Sequence, residues 1–276
     1  MFNLLPKSLF LESVNFLRFL KIEPVQMFNK IPFLQKPKKF GPKLLKYLSP
    51  KLIDQLYTDN EAGNKRWKGF RLMAVDVSRI TLPLIEGVKI HFPETKNNPI
   101  TRVIKARCSV LYDLENNYVV DAELGPTSQN ERSMALSHLS YCKKGDLVLC
   151  DRSYPAYAFI NFHVINKFDY VIRVKFGFSK HILDFKNSNK KSVIVTINSY
   201  TQQKLSDKSL NKSIPIKVRL IKAELLAGQV EIFMSSLLDI KKYPNGIFHS
   251  LYYKRKSLAT VYDQVENKLN VECFSV

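Results

Sequence analysis

No two of the four cysteines, Cys108, Cys142, Cys150 and Cys273, stand in C-x-x-C spacing, so the sequence offers neither a zinc ribbon nor a dithiol redox motif. They read as reduced, mostly buried thiols of a cytosolic protein. The five histidines, His91, His138, His163, His181 and His249, are scattered and form no H-E-x-x-H or other paired metal spacing. No apolar run approaches the ~20 residues of a membrane-spanning helix. The stretch from Met1 to Leu20 is broken by Lys7, Glu12 and Arg18 and is followed by no small-residue cleavage site, so it is not expected to be a signal peptide. Tandem repeats are absent, and no long tail of disordered composition is visible. Acids are scarce as well: 24 Asp and Glu stand against 43 Lys and Arg, leaving a net charge of +19.

That imbalance suits a polyanionic partner, nucleic acid above all, although a lysine-rich solvated surface has the same composition. With 276 residues, 45% of them hydrophobic, the chain can bury a sizeable core in one large domain or two small ones. Its charge is uneven. Residues 1–75 carry 14 Lys and Arg against 5 Asp and Glu, and residues 177–230 carry 10 against 3. Between them lie Asp76, Asp113, Asp121, Glu123, Asp146 and Asp151. Basic flanks around a more acidic centre fit metal-binding carboxylates set between DNA-gripping surfaces.

The spacing of Leu9, Phe10, Val14, Leu17 and Leu20 predicts a first amphipathic helix, and Leu44, Leu45, Leu48 and Leu52 predict a second over 43–57. The basic connector Lys36-Pro-Lys-Lys-Phe-Gly-Pro42 separates them. From Arg71 the pattern turns to strands. Arg71-Leu-Met-Ala-Val-Asp-Val-Ser78 is followed by two runs, 104–112 and 118–124, that flank a hairpin turn at Glu115-Asn-Asn117. A helix is expected from Asn130 to about Tyr141, a buried strand over 146–151, a helix from Pro155 to about Lys167, and a strand over 169–175. Residues 177–230 read as a β-rich insertion, 229–235 as a returning strand, and 247 to about 269 as one long helix. The chain thus divides into a helical basic region, 1–65, and an α/β domain, 66–276.

Asp76 and Asp151 each close a hydrophobic run. An aspartate there is costly to bury unless it is paired or metal-bound. A turn or cap role accounts for either one alone; two alike, on neighbouring strands, point to a site. Phosphoryl transfer between DNA strands uses two divalent ions about 3.5–4 Å apart, held by carboxylates converging from different elements. Magnesium takes oxygen ligands and retains waters, so few carboxylates suffice.

Several ordered blocks carry a family resemblance over about residues 60–276. Leu251-Tyr-Tyr-Lys-Arg-Lys-Ser-Leu-Ala-Thr-Val-Tyr-Asp-Gln-Val-Glu-Asn-Lys-Leu269 resembles the Y-x2-R-x3-E-x6-K signature of DDE transposases of insertion-sequence family four. Tyr252 and Arg255 match; Ala259 stands at the glutamate position and Glu266 at the lysine position. Trp67-Lys-Gly-Phe-Arg-Leu-Met-Ala-Val-Asp76-Val-Ser78 is similar to the block of the first aspartate, with Val77 for the usual glycine. Asn130-Glu131-Arg132 matches an N-E-R block. Leu147-Val-Leu-Cys-Asp151-Arg152-Ser-Tyr154-Pro155 is similar to the D-R-G-Y-P block, with Ser153 for its glycine.

The resemblance implies a ribonuclease-H-like mixed sheet with flanking helices. It implies Asp76 and Asp151 as catalytic and metal-binding residues, Mg2+ or Mn2+ as cofactor, and Tyr252, Arg255 and Arg152 as DNA contacts. Ala259 is then a degenerate third catalytic position. Glu266, two helical turns beyond it and ~10 Å along the axis, is a poor substitute. Implied partners are insertion-sequence ends and target DNA, bound as a homodimer in the bacterial cytoplasm at the nucleoid, with no membrane. With the chain ending at Val276, the sequence reads as a degenerate or truncated copy: a DNA transposase by descent, or a catalytically inactive DNA-binding remnant. An unrelated basic RNA-binding or ribosome-associated protein fits the charge but not the ordered blocks.

Overall fold

The computed structural model describes residues 42–59, 63–96, 102–154, 157–198, 215–224 and 229–263. Two compact units divide the chain, Met1–Asn64 and Lys65–Val276. In the first, helix α1 (Pro42–Asp59) spans the second expected helix. The Asn64 side-chain amide donates to the Tyr57 carbonyl at 2.9 Å, satisfying one of the orphan acceptors at the helix end. The first expected helix lies outside the described residues.

The second unit opens on a tight turn. Trp67 and Phe70 exchange two backbone hydrogen bonds of 2.9 Å around Lys68 and Gly69, both at positive φ. Two consecutive positive φ values define the two-residue turn that matches strand twist, and glycine adopts one of them at no steric cost. The chain then enters β1 (Arg71–Leu82), followed by helix α2 (Glu86–Lys89), β2 (Glu94–Lys96), β3 (Arg102–Asp113) and β4 (Tyr118–Pro126). Helix α3 (Glu131–His138) begins under the Asn130 side chain, which accepts from the Arg132 N–H, and runs into a 3-10 turn at Leu139–Tyr141. Next come β5 (Asp146–Cys150), α4 (Tyr157–Asn166), β6 (Asp169–Val174), α5 (Lys180–Asn187), β7 (Ser192–Asn198), β8 (Pro215–Glu224) and β9 (Val230–Ser235). Helices α6 (Ile247–Tyr253) and α7 (Ser257–Asp263) close the described chain.

Among the described residues nine strands form one sheet, ordered β2-β3-β1-β5-β6-β9-β8-β7, with β4 also paired to β3. The β1–β5 and β5–β6 pairs are parallel; the rest are antiparallel. An antiparallel meander followed by two parallel strands, each reached through a helix, is the ribonuclease-H-like order. The chain has this mixed α/β fold, as its sequence implied.

Two expectations are corrected. The segment 177–230 holds strands β7 and β8 as expected, and beside them Ser179 caps α5, which buries Ile182 and Phe185. Its strands β7 and β8 also extend the central sheet through β9, because β9 pairs with β6 on one side and β8 on the other. The helix expected from 247 is interrupted by a 3-10 turn at Lys254–Lys256.

Strand alternation places Leu72, Ala74, Leu147, Leu149, Val171 and Phe233 on one face of the sheet. They pack with Phe248, Leu251, Tyr252, Leu258 and Tyr262 of α6 and α7 in one buried core. The same parity carries Asp76, Asp151, Arg173 and Glu231 onto the face that these helices cover. No helix among the described residues is long and apolar enough to cross a membrane.

Candidate functional site

The level of the two aspartates is set several residues upstream. Arg71 and Asp146 stand opposite each other in the parallel β1–β5 register. The Arg71 guanidinium forks onto that carboxylate, Nε to Oδ1 at 2.8 Å and Nη2 to Oδ2 at 2.6 Å, with both side chains buried. A bidentate pair of this kind fixes register as well as charge. The register runs to Ala74 opposite Leu149; continued by two residues, it brings Asp76 level with Asp151.

Asp151 directly follows the end of β5, as its apolar run predicted. Asp76 differs from expectation: it lies inside β1, paired with Val110 of β3, because β1 continues on that partner to Leu82. It sits where β1 has left its parallel neighbour, which opens one side of the strand toward Asp151.

Arg255, in the 3-10 turn, spans both acids. Its Nη1 lies 3.1 Å from Asp76 Oδ1 and its Nη2 3.8 Å from Asp151 Oδ2. Asp151 Oδ1 also accepts from the Arg152 N–H at 2.6 Å, the Tyr252 hydroxyl at 2.9 Å, and Arg173 Nε and Nη2 at 3.0 and 2.8 Å. Arg173 Nη1 in turn donates to Glu231 on β9 at 2.7 Å. The Tyr252 ring packs on Phe233 and lies between two guanidinium groups, Arg173 at 5.4 Å and Arg255 at 5.7 Å, within cation–π range. The Asp76 carbonyl accepts from the Tyr262 hydroxyl at 2.7 Å, which ties α7 to the same point of β1.

The two carboxylates are driven apart in acidity. Burial raises the Asp76 pKa from its ordinary value, and Arg255 only partly offsets it. Burial acts on Asp151 in the same direction, but there the Arg152 N–H, Arg255, Arg173 and the Tyr252 hydroxyl together outweigh it and hold the group below its ordinary value. Burial opposes charge on Arg255 too, yet Asp76, Tyr252 and Asp151 raise its pKa.

Ala259 is exposed on α7 and, with Asp76, Arg173, Tyr252, Tyr253, Arg255 and Lys256, lines a cleft of about 250 Å³. It presents a methyl group where the resemblance places a third carboxylate. Arg152 lies outside this cleft. Its exposed side chain lines a neighbouring cavity of about 270 Å³ together with Arg173, Lys175, Phe176, Gln229 and Glu231. Arg173 forms the wall between the two. Glu266 and Glu272 lie outside the described residues.

The remaining acids of the central segment are structural. Asp113 accepts from the Glu115 and Asn116 N–H groups and closes the β3–β4 turn. Asp121 contacts His138 Nδ1 at 2.6 Å, and Glu123 accepts from Gln129 and Ser137. Lys254 pairs with Glu115 at 2.6 Å, while Lys256 stands over the Tyr253 ring at 4.3 Å.

Arg173 and Glu231 complete the cluster and were not singled out in the sequence. The available signal was the one that marked the aspartates: a lone charge inside an apolar run, Asp169-Tyr-Val-Ile-Arg-Val174 and Val230-Glu-Ile-Phe-Met-Ser235. Among the described residues, no three His, Cys, Asp or Glu side chains gather as a metal-binding group. Asp76 and Asp151 by themselves suit one hard divalent ion whose shell is filled by water and phosphate oxygens. Among the described residues, no third carboxylate lines the cleft beside Ala259 to hold a second ion.

Fold and site together define a ribonuclease-H-like domain in which Arg255 bridges two aspartates, Asp76 lining the cleft and Asp151 behind it. No family model matches the chain, and no curated protein matches it. Among solved structures it is similar to a piggyBac transposase in a synaptic complex with hairpin DNA, with TM-score 0.42 and 10% identity over 71% of this chain. This chain spans 40% of the length of that one. It is also similar to the NurA nuclease from Sulfolobus solfataricus, with TM-score 0.31 and 10% identity over 90% of this chain and 100% of that one.

Proposed function

We propose that this chain is a DNA-binding protein of the DDE transposase type, akin to insertion-sequence family four, whose cleft lacks the third carboxylate. One observation carries the reading. Asp76 and Asp151 stand level on neighbouring strands, bridged by Arg255, and Ala259 of α7 lines one cleft with Asp76 and Arg255. Carboxylates converging from different elements can hold the metal ions that in-line phosphoryl transfer uses, which supports the reading.

In this reading the substrate is double-stranded DNA at element ends, gripped through its phosphates as a homodimer in the bacterial cytoplasm. Arg152 and Lys175, both exposed beside the cleft, contact the backbone. Tyr252 and Arg173 hold Asp151 ionised and oriented, while Tyr262 fixes the backbone at Asp76. A Mg2+ or Mn2+ ion held by the two aspartates would supply Lewis-acid polarisation of a phosphoryl oxygen. The missing carboxylate forfeits several kcal/mol of charge stabilisation, on the scale of one metal's contribution. The protein therefore cuts and joins DNA very slowly or not at all, and acts as a binding remnant that occupies DNA ends.

The test is cleavage of element-end DNA with magnesium or manganese by the wild type, Ala259→Glu and Asp151→Ala. The expected result is negligible cleavage by the wild type and a measurable gain in Ala259→Glu. Robust wild-type cleavage that Asp151→Ala abolishes would mean that another residue supplies the third ligand. Absence of DNA binding at low salt would remove the reading altogether.

A further inference from the structure

The charges packed around the two aspartates nearly cancel. Asp76, Asp151 and Glu231 contribute three negative charges, and Arg173 and Arg255 two positive ones, all tied by the contacts described above. Arg173 is committed elsewhere, clamped between Asp151 and Glu231. Among the described residues, Arg255 is the one cation that reaches both Asp76 and Asp151, and its side chain is only 15% exposed. Four donors already converge on Asp151 Oδ1, so Oδ2, the oxygen facing Arg255, is the one left to a further cation. A divalent ion shared by the two aspartates would occupy the space that the Arg255 fork fills.

We propose that Arg255 is a built-in occupant of the Asp76–Asp151 cation site, so that a divalent ion binds there only when this guanidinium is displaced. The proposal rests on the reading of these aspartates as a metal-binding pair, and it concerns what controls access to them. With Arg255 in place the cluster carries one net negative charge. Without it the cluster carries two, which matches one divalent ion. The two states exclude each other through charge and through volume: two cations at contact distance in a partly buried cleft repel strongly. The 3-10 turn at Lys254–Lys256 is what aims Arg255 inward while Lys254 and Lys256, on either side, remain exposed.

The experiment is a Mn2+ titration of the full chain without DNA, read from the paramagnetic signal of the free ion and from the thermal midpoint with and without Mn2+. The variants are wild type, Arg255→Gln, Arg255→Lys and Arg255→Gln combined with Asp76→Asn. Arg255→Gln is expected to bind one Mn2+ about tenfold or more tightly than wild type, the scale set by removing one close like charge. Asp76→Asn in that background should return the affinity to the wild-type level. Arg255→Lys keeps the charge but not the fork, and should fall between them. It also serves if Arg255→Gln loses its cooperative melt. Equal Mn2+ affinity in wild type and both Arg255 variants would overturn the proposal. DNA cleavage does not enter this readout. Ala259→Glu is titrated beside these variants; if it gains Mn2+ binding while the Arg255 variants do not, the paired-aspartate reading stands and the occupancy proposal falls.

Discussion

The Tyr252 hydroxyl donates to Asp151 Oδ1 at 2.9 Å, joining residues 101 positions apart in the chain. The aromatic ring is buried against Phe233 while its polar end meets the carboxylate. Tyr252 therefore couples the packing of α6 to the orientation of a charged group at the end of β5.

Tyr252→Phe keeps that packing and removes only the hydrogen bond. Three other donors remain on the same oxygen, so the loss should sit at the low end for a bond to a charged acceptor, about 1.5 kcal/mol. Tyr252→Ala also empties the ring's site and should cost about 3–5 kcal/mol. Urea unfolding of the two variants separates the contributions; equal losses would mean that the ring's packing carries nothing.

Arg219 on β8 is fully buried. Its guanidinium donates to the Tyr243 carbonyl at 2.6 Å and to the Asn245 side chain, and lies 5.2 Å from the Phe248 ring. It thereby fastens a strand of the 177–230 segment to the loop that launches α6. Arg219→Ala strands these acceptors in the interior and leaves a cavity, and should destabilise the protein by about 3–5 kcal/mol. A loss under ~1 kcal/mol in chemical denaturation, the level of an ordinary surface change, would refute this role.

His163 lies fully buried against Phe168 and Tyr170, with ring centroids at 4.2 and 4.9 Å. Burial holds its pKa well below 6.5. The unfolded chain therefore binds a proton that the folded one refuses, so stability rises with pH across that window. As pH falls below 6.5, toward the depressed folded value, this group should withdraw stability at a slope that climbs toward a limit of about 1.4 kcal/mol per pH unit. His163→Phe should flatten that slope relative to wild type between pH 6.5 and 5. Superimposable stability–pH curves for the two proteins would contradict it.

DNA binding, if it follows from the +19 charge, should weaken steeply with salt. Replacing Arg152 or Lys175 with alanine should each reduce the slope of log K against log salt by about 1, one phosphate contact apiece. Fluorescence anisotropy at several salt concentrations measures this. Unchanged slopes would move the phosphate contacts elsewhere on the surface.

The central strands were legible because β1, β5 and β6 are nearly continuous apolar runs, the pattern of strands buried on both faces. The β3–β4 hairpin was legible from its turn, where Asn117 takes a positive φ. Strand β2 was not, since Glu94-Thr-Lys96 has no apolar run and is a strand only through pairing with β3. Helix α5 was hidden by its Lys- and Asn-rich setting, with Ile182 and Phe185 its two buried anchors. The attachment of β7 and β8 to the sheet depends on pairings between distant segments, which periodicity does not encode.

At the site, Asp76, Asp151, Tyr252 and Arg255 were named from ordered blocks, and the structure brings these four together. Arg152 contributes its backbone N–H to Asp151 while its side chain turns to the adjoining cavity. The inward turn of Arg255 was not legible, because a basic run on an expected straight helix reads as a solvated face.

The spacing of Asp76 and Arg255 in the chain has a consequence for biosynthesis. Their contact bridges 179 residues, and it is the only ion pair of Asp76 among the described residues. Strands β1 to β6 are complete once residue 174 has left the ribosome, whereas Arg255 is 81 residues further on. At about 5–20 residues per second, that is a delay of roughly 4–16 s. Throughout it the nascent sheet carries Asp76 with no guanidinium to meet it, while Asp151 already has Arg173 on the adjacent strand. The last-made part of the cluster thus neutralises the first-made acid, and a polypeptide stalled before residue 255 presents a more acidic surface there than the finished protein.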